Sequence, residues 1–165
     1  MPIEFRLEDC SLSESSWNQL IDDVLAQEGI KPYSDPHFSE SGSGTAAKIW
    51  SPGSTRGVTI LRGAHGNVDL RFIALASRQD WQTGFALARE ALARGNGRLM
   101  HENGEQYTVA NLTAEQAIED AITDFVETVT RVIALLESEG TDQMPLPFDY
   151  FTLDCKTEDF AGCTY

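Results

Sequence analysis

The length and charge of the chain limit what it can bind. It has 165 residues, 41% of them hydrophobic, and its 26 acidic and 12 basic residues give a formal net charge of −14 at pH 7. A chain of this length buries one ordinary core, so a single domain over 1–165 is expected, and an acidic surface is repelled by phosphate backbones and anionic lipid. Nucleic acid and membranes are therefore poor partners.

The amino-terminal sequence and the cysteines predict a cytoplasmic protein. The first ten residues, MPIEFRLEDC, are charged from the fourth position and lack the apolar run of a signal peptide, and no window reaches the length of a membrane span. Cys10, Cys155 and Cys163 are odd in number and have no CxxC spacing. They therefore suggest neither a disulfide framework nor a zinc site.

The first third of the chain predicts a strand, a helix and a long loop. The run IEFRL alternates apolar and polar residues, which is the period of a half-buried strand. Ser11 and Glu14 fit a capping box before a helix that ends at Gly29. The segment 31–45, KPYSDPHFSESGSGT, is rich in Pro, Ser and Gly and predicts a long loop.

Three strands, a helix and a hairpin are predicted next. The strands are AAKIW, GVTILR and NVDLRFIAL, the last of which alternates core-facing with partly exposed positions. Ser77 and Asp80 fit a second capping box, which opens a helix that ends at Gly95. Asn103 and Gly104 lie between two short strand-like runs and favour a hairpin with a type I′ turn.

A long acidic helix follows the hairpin. Apolar residues recur at alternating steps of four and three over 118–136, so they form one stripe along the helix. Asp120, Asp124 and Glu127 project from the other side, and Glu127 forms an i,i+4 pair with Arg131. These carboxylates either keep the helix soluble or form a surface for a basic partner.

Negative charge is concentrated at the carboxyl-terminal end. Residues 1–98 hold twelve acidic and ten basic residues, whereas 99–165 hold fourteen acidic and two basic ones, a net charge of −12. The tail over 141–165 interleaves carboxylates with aromatics, and aromatics anchor interfaces while carboxylates steer a basic partner. The alternative interpretation of the tail is a last strand around FDYFTL docked on the sheet, with a loose end. The candidate partner-binding residues are Asp120, Asp124, Glu127, Asp142, Asp149, Tyr150, Phe151, Asp154, Glu158 and Asp159.

A catalytic or metal-binding constellation is not recognisable in the sequence. His37, His65 and His101 lack the spacing that presents two imidazoles to one metal, and no GxSxG, Walker-type or GxGxxG motif occurs. Cys155 and Cys163 lie in the most acidic segment, which disfavours a reactive thiolate. We therefore expect a protein that is not an enzyme and needs no cofactor or metal. An enzyme of an unrecognised type requires one of the histidines beside a carboxylate in a deep pocket.

The order of the elements predicts an α+β fold. It reads β-α-β-β-β-α-β-β-α with an optional final strand, a mainly antiparallel sheet with helices packed on it. The small size, the acidity and the lack of a catalytic set resemble the immunity proteins of bacterial polymorphic and contact-dependent toxin systems. The stretch DWQTGFALAREALARGNGRLMHENGE, residues 80–105, has the general look of segments in those proteins. This resemblance implies a cognate toxin domain as the partner, often basic, whose active site or required conformational change is blocked.

A second resemblance concerns the order of the elements alone. From residue 11 to residue 139 the predicted order α-β-β-β-α-β-β-α is similar to that of type III secretion chaperones, which are also small, acidic and non-enzymatic. The additional amino-terminal strand and the aromatic, acidic tail depart from that pattern. The resemblance implies a homodimer that holds an unfolded effector segment. We therefore expect a cytoplasmic protein-binding module, with toxin neutralisation first and secretion chaperoning as the alternative.

Overall fold

The structure, a computed structural model, forms two compact units, Met1–Ile118 and Glu119–Tyr165. The expected single domain over 1–165 stays a prediction. Only the backbone is described for residues 3, 41, 44, 143–147 and 152–156. The described residues are 3–41, 44–54, 57–63, 66–72, 76–95, 97–109, 112, 115, 119, 120, 123, 127, 131, 134, 135, 138, 140, 143–147 and 152–156.

The first unit is built on one antiparallel sheet. Its described strands are β1 (Ile3–Glu8), β2 (Ser39–Ser41), β3 (Gly44–Ile49), β4 (Val58–Arg62), β5 (Val68–Phe72), β6 (Arg98–His101) and β7 (Gln106–Tyr107), and its described helices are α1 (Glu14–Gln27) and α2 (Arg78–Gly95). The strand order is β2-β3-β4-β5-β1-β6-β7. Phe5 of β1 is opposite Leu70 of β5 on one side and His101 of β6 on the other. The predicted α+β fold, with helices on a mainly antiparallel sheet, is confirmed.

The predicted loop over 31–45 is too long at its carboxyl-terminal end. β2 and the beginning of β3 lie inside it, with Ser39 opposite Ala46. The buried ring of Phe38 is 6.3 Å from that of Trp17, and the Phe38 N–H donates to the side-chain oxygen of Asn18 at 3.1 Å. These contacts hold the segment against α1, so a stretch with poor strand propensity still pairs with β3.

The second unit contains a helix and a hairpin. Residues 119, 120, 123, 127, 131, 134, 135 and 138 are α-helical, in agreement with the predicted acidic helix, whereas its apolar stripe lies outside the described residues. Two strands follow, β8 (Gln143–Pro147) and β9 (Thr152–Lys156), which pair antiparallel with each other. The predicted last strand around FDYFTL, residues 148–153, agrees with β9 at Thr152 and Leu153, and its other residues lie outside the described part of the chain. The hydrogen-bonded partner of β9 among the described strands is β8, not a strand of the main sheet. Pro145 and Pro147 obscured β8 in the sequence, because proline is uncommon inside strands and is tolerated at their edges.

The starts of the two helices follow different patterns. The helix α1 begins after Ser13, whose hydroxyl accepts the Ser16 N–H at 3.1 Å, so the predicted cap at Ser11 is wrong by two positions. The predicted capping box of α2 is confirmed: the Ser77 hydroxyl accepts the Asp80 N–H at 3.2 Å, and an Asp80 carboxylate oxygen accepts the Ser77 N–H at 2.7 Å.

The hairpin between β6 and β7 is confirmed, but its predicted turn type is wrong. A type I′ turn needs positive φ at two successive residues. Asp9 is the only described non-glycine residue with positive φ, so Asn103 has a negative φ, while Gly104 has a φ of 88°. The Gly104 N–H donates to the His101 carbonyl at 2.9 Å, and the His101 N–H donates to the Glu105 carbonyl at 2.8 Å. These bonds define a three-residue loop whose last residue is a left-handed glycine.

Aromatic rings fill the centre of the core between the sheet and α2. Phe72 of β5 is stacked on Trp81 at a centroid distance of 4.0 Å and lies 5.8 Å from Phe85. Phe5 meets Phe72 edge to face at 5.9 Å. Gly84 makes room for this cluster, because a Cβ atom there would lie 2.6 Å from Cε1 of Phe72.

We expect Gly84→Ala to destabilise the protein by up to about 2 kcal/mol, because overpacking costs about 1–3 kcal/mol and the better helix propensity of alanine offsets about 1 kcal/mol of it. Urea unfolding measures the difference. The matched control is Ala93→Gly at an exposed position of the same helix, which reports propensity alone. A gain in stability from Gly84→Ala, equal in size to the loss from Ala93→Gly, would contradict the close approach of Phe72.

Candidate protein-binding surface

Most arginines of the first unit are paired with carboxylates of the same unit. On the face of the sheet, Arg6 Nε lies 2.7 Å from Asp69 Oδ1, and an Arg71 nitrogen lies 2.6 Å from Glu4 Oε1. The hydrogen bond and charge of Asp69 raise the pKa of Arg6. These are cross-strand neighbours of β1 and β5, where opposite charges attract. Further pairs join Arg62 to Glu14, Arg94 to Asp23 and Arg98 to Glu8.

Pairing also affects the acidic members of this set. The Asp23 carboxylate accepts hydrogen bonds from the Gln19 amide at 2.9 Å and from Arg94 at 2.9 Å, and both bonds lower its pKa, the first more than the second. Across residues 1–118 there are fifteen acidic and ten basic residues, a net charge of −5. The first unit therefore carries a nearly balanced surface in which much of the charge is satisfied locally.

The second unit has an unbalanced charge. Residues 119–165 hold eleven acidic residues and two basic ones, a net charge of −9. On its helix, Glu119, Thr123, Glu127 and Arg131 recur every four residues and are all exposed. Such positions follow one side of a helix with a slow drift, so the carboxylates form a stripe. We call Glu119, Asp120 and Glu127 the acidic helix face.

The members of the acidic helix face differ in their surroundings. Glu127 accepts a hydrogen bond from Arg131 at 3.0 Å, as the i,i+4 spacing predicted. Asp120 is only half-exposed and has an interaction partner of its own. Glu119 is exposed, and its backbone carbonyl accepts the Thr123 hydroxyl at 2.8 Å. Exposed carboxylates of this kind remain hydrated and bind lysine or arginine side chains through interactions that salt screens.

The structure brings together only part of the predicted binding set. Asp120 and Glu127 share one helix, as expected. Asp154 lies in β9 opposite Pro145, and only its backbone is described. The remaining predicted residues lie outside the described part of the chain: Asp124, Asp142, Asp149, Tyr150, Phe151, Glu158 and Asp159.

An exposed aromatic pair in the first unit was missed by the sequence analysis. Tyr33 and Trp50 are 65% and 36% exposed, and their rings meet edge to face at 5.7 Å. The Tyr33 N–H donates to the Trp50 carbonyl at 2.8 Å, so the backbone holds the pair together. Exposed aromatics with fixed orientation are typical anchors of protein interfaces. A tyrosine inside a proline-rich loop was the available signal, but its contact with a strand end is not visible in the sequence.

The two described histidines differ in their contacts: His37 lies between two carboxylates, and His101 is buried beside an aromatic ring. His37 Nε2 lies 2.9 Å from Asp22 Oδ1 and its Nδ1 lies 2.8 Å from Asp35 Oδ1, so the ring ties the loop after α1 to the helix. His101 is buried with its ring 4.6 Å from that of Phe5, and its Nδ1 has no hydrogen-bond partner in the described structure. His65 lies outside the described residues.

The Cys10 thiol is buried. Burial raises the pKa of the Cys10 thiol, which disfavours the nucleophilic thiolate. Within the described ranges there is no group of three or more His, Cys, Asp or Glu side chains arranged to hold a metal ion. Among the helical residues that the structure describes, none form a helix long and apolar enough to cross a membrane.

Relatives of known function would connect these surfaces to a partner. Comparison of the chain with protein-family models, with curated proteins and with solved structures finds no match. The function of the protein is therefore inferred from its own residues.

Proposed function

We propose that the protein is a non-enzymatic, protein-binding module that acts as an immunity protein by binding and neutralising a basic bacterial toxin domain. The observation that carries the proposal is the segregation of charge. The first unit satisfies much of its charge through internal ion pairs, whereas residues 119–165 have a net charge of −9. Charge that is concentrated in this way attracts a partner of opposite sign.

The acidic helix face increases the rate at which the protein associates with its basic partner. Glu119 and Glu127 are exposed and offer carboxylate oxygens to lysine or arginine side chains. Long-range attraction of this kind mainly accelerates association and selects against acidic competitors, while tight binding needs buried contacts. Tyr33 and Trp50 supply an exposed apolar anchor in the first unit, and Tyr150 and Phe151 are the aromatic candidates of the tail.

Neutralisation follows from competition for the basic surface of the toxin domain. A domain that acts on nucleic acid needs lysines and arginines to hold phosphate groups. Carboxylates that form ion pairs with those lysines and arginines keep the phosphate groups from binding them. Binding of the immunity protein at or beside the active site is therefore sufficient for inhibition. No catalytic group of the immunity protein takes part in this mechanism.

Capture from a lysate of the source cells, at low and at raised salt, identifies the partner by mass spectrometry. A stoichiometric partner with a folded basic domain, whose activity is lost on addition of the protein, is the expected result. A secreted protein bound through an unfolded amino-terminal segment would instead favour the secretion-chaperone alternative. A partner that retains full activity in the complex contradicts neutralisation.

Charge reversal tests the acidic helix face directly. We expect Glu119→Lys combined with Glu127→Lys to slow association with the captured partner by about tenfold and to weaken its dependence on salt, because two steering charges change sign. Stopped-flow measurement of the association rate over a salt series gives both quantities.

The matched control reverses two exposed carboxylates of the first unit, Glu102→Lys and Glu105→Lys. Both double variants change the net charge by the same amount, so only the position of the charge differs. Equal effects in the two variants would show that net charge alone drives association and that the helix face has no special role.

A further inference from the structure

The hairpin of the second unit carries prolines at alternate positions of one strand. Pro145 of β8 is opposite Asp154 of β9, and Pro147 is opposite Thr152. In an antiparallel pair, alternate residues direct their N–H and C=O groups toward the partner strand or away from it. Proline has no N–H, so the prolines occupy positions that point away from β9. The ladder bonds are therefore exchanged between Met144 and Cys155 and between Leu146 and Leu153.

This register makes the two edges of the hairpin chemically different. The outer edge of β8 lacks two N–H donors, which protects it from pairing with another strand. On β9 the outward-directed residues are Thr152, Asp154 and Lys156, and each has both an N–H and a C=O. Among the described strands, β9 pairs only with β8. The outer edge of β9 is thus a row of backbone donors and acceptors that no described strand bonds.

The edges of the larger sheet in the first unit are protected in another way. Its edge strands β2 and β7 have three and two residues, respectively, too few for a stable additional ladder. β9 has five residues. Of the described edge strands, β9 is the one that combines sufficient length with a full set of donors.

We propose that the outer edge of β9 is a docking site for an extended, basic segment of a partner protein, which adds to the hairpin as a third strand. The proposal rests on the proposed protein-binding function and specifies how the partner is held. Backbone hydrogen bonds to an edge strand supply affinity in this mode of recognition. A two-stranded hairpin is only marginally stable by itself, so a third strand also stabilises the hairpin.

Charge selects the occupant. The unit that contains β9 has a net charge of −9, which attracts a segment rich in lysine or arginine. A second copy of the chain brings another −9 to the same edge, so pairing of two copies through β9 is opposed by repulsion. The favoured occupant is therefore a different, basic protein.

Two double variants of β9 test whether its outward backbone N–H groups bind the partner. Thr152→Pro combined with Asp154→Pro reproduces on β9 the Pro-Leu-Pro sequence that β8 carries at 145–147, and it removes two outward N–H donors without removing those that bond to β8. Thr152→Ala combined with Asp154→Ala removes the same side chains and keeps both donors. Comparison of the two double variants isolates the backbone donors from the side chains.

The probe is a synthetic peptide of alternating lysine and threonine, added to the full chain at low salt. We expect amide hydrogen exchange at Thr152, Asp154 and Lys156 to become slower on binding by a larger factor than at Leu153 and Cys155, whose N–H groups already bond to β8. We also expect the double-proline variant to bind the peptide about tenfold or more weakly than the double-alanine variant, because it lacks two backbone bonds. Retained protection of Leu153 and Cys155 in the proline variant verifies that the hairpin has formed.

Each contrary outcome has a distinct meaning. Unchanged exchange at the three outward amides, or equal binding by the two double variants, overturns the docking edge. Protection that appears without peptide and grows with protein concentration assigns the edge to a second copy and also overturns the proposal, as does equal binding of a peptide of alternating glutamate and threonine. Peptide-induced shifts at Glu119 and Glu127 without protection of β9 overturn the edge alone and leave the proposed function standing.

Discussion

Replacement of Phe72 with alanine is expected to lower the free energy of unfolding by about 4 kcal/mol. The Phe72 side chain is fully buried and is stacked on Trp81 at 4.0 Å, with Phe5 and Phe85 at 5.9 and 5.8 Å. Truncation removes the transfer free energy of a large ring and leaves a cavity that these rigid neighbours cannot fill. Gly84 cannot fill it either, since it has no side chain.

Urea unfolding followed by circular dichroism measures this loss. Phe72→Leu keeps much of the volume and loses only the stacking, so we expect about 1–2 kcal/mol for it. The control is Leu135→Ala at an exposed helical position, for which a change within about 0.5 kcal/mol is expected. Because Phe72 and Gly84 are in contact, Gly84→Ala should cost less in the Phe72→Ala background than in the natural protein. A loss below about 1 kcal/mol for Phe72→Ala would show that the ring is not the centre of the core.

Replacement of Asp80 with alanine is expected to cost about 3 kcal/mol, through polar groups rather than volume. The Asp80 carboxylate is 2% exposed and accepts hydrogen bonds from the Ser77 N–H at 2.7 Å, from the Ser77 hydroxyl at 2.9 Å and from the Ser54 hydroxyl. The Ser54 hydroxyl in turn accepts the Gly57 N–H at 2.7 Å. Asp80 therefore joins the first turn of α2 to the loop between β3 and β4, and its removal leaves several donors unsatisfied.

Two further variants separate the contribution of the helix cap at Ser77 from that of the hydrogen bond between Asp80 and Ser54. Ser77→Ala removes the cap of the helix and keeps the link to Ser54, so we expect it to cost about 1 kcal/mol. Asp80→Asn keeps the shape and one carbonyl acceptor, so its cost should lie between those of Ser77→Ala and Asp80→Ala. Chemical denaturation of the three variants gives the order. An Asp80→Ala cost no larger than that of Ser77→Ala would contradict the link through Ser54.

The two proposed modes of partner binding act on different kinetic steps. Exposed carboxylates such as Glu119 and Glu127 change mainly the association rate and its dependence on salt. Backbone pairing at the edge of β9 forms after the encounter and changes mainly the dissociation rate. Kinetic traces of the charge-reversal and proline variants therefore separate the two contributions even though both weaken the same complex.

Part of the candidate surface was predictable because it depends on composition and helical spacing. The excess of carboxylates over 119–165 is a property of the sequence, and the steps of four that place Glu119 and Glu127 on one side follow from helix geometry. The aromatic pair was not predictable in the same way. Tyr33 and Trp50 are seventeen positions apart, and their contact depends on a backbone bond between a loop and the end of β3.

Local patterns in the sequence determined the α+β class, the capping box of Ser77 and Asp80, and the hairpin at Asn103 and Gly104. Each depends on residues within a few positions of one another, so propensity and periodicity were sufficient. The placement of β1 between β5 and β6 and the addition of β2 as an edge strand were decided by the tertiary structure. These features depend on contacts such as Phe5 with Phe72 and Phe38 with Trp17. Periodicity reports which side of an element is buried, but only packing between segments distant in sequence decides what that side meets.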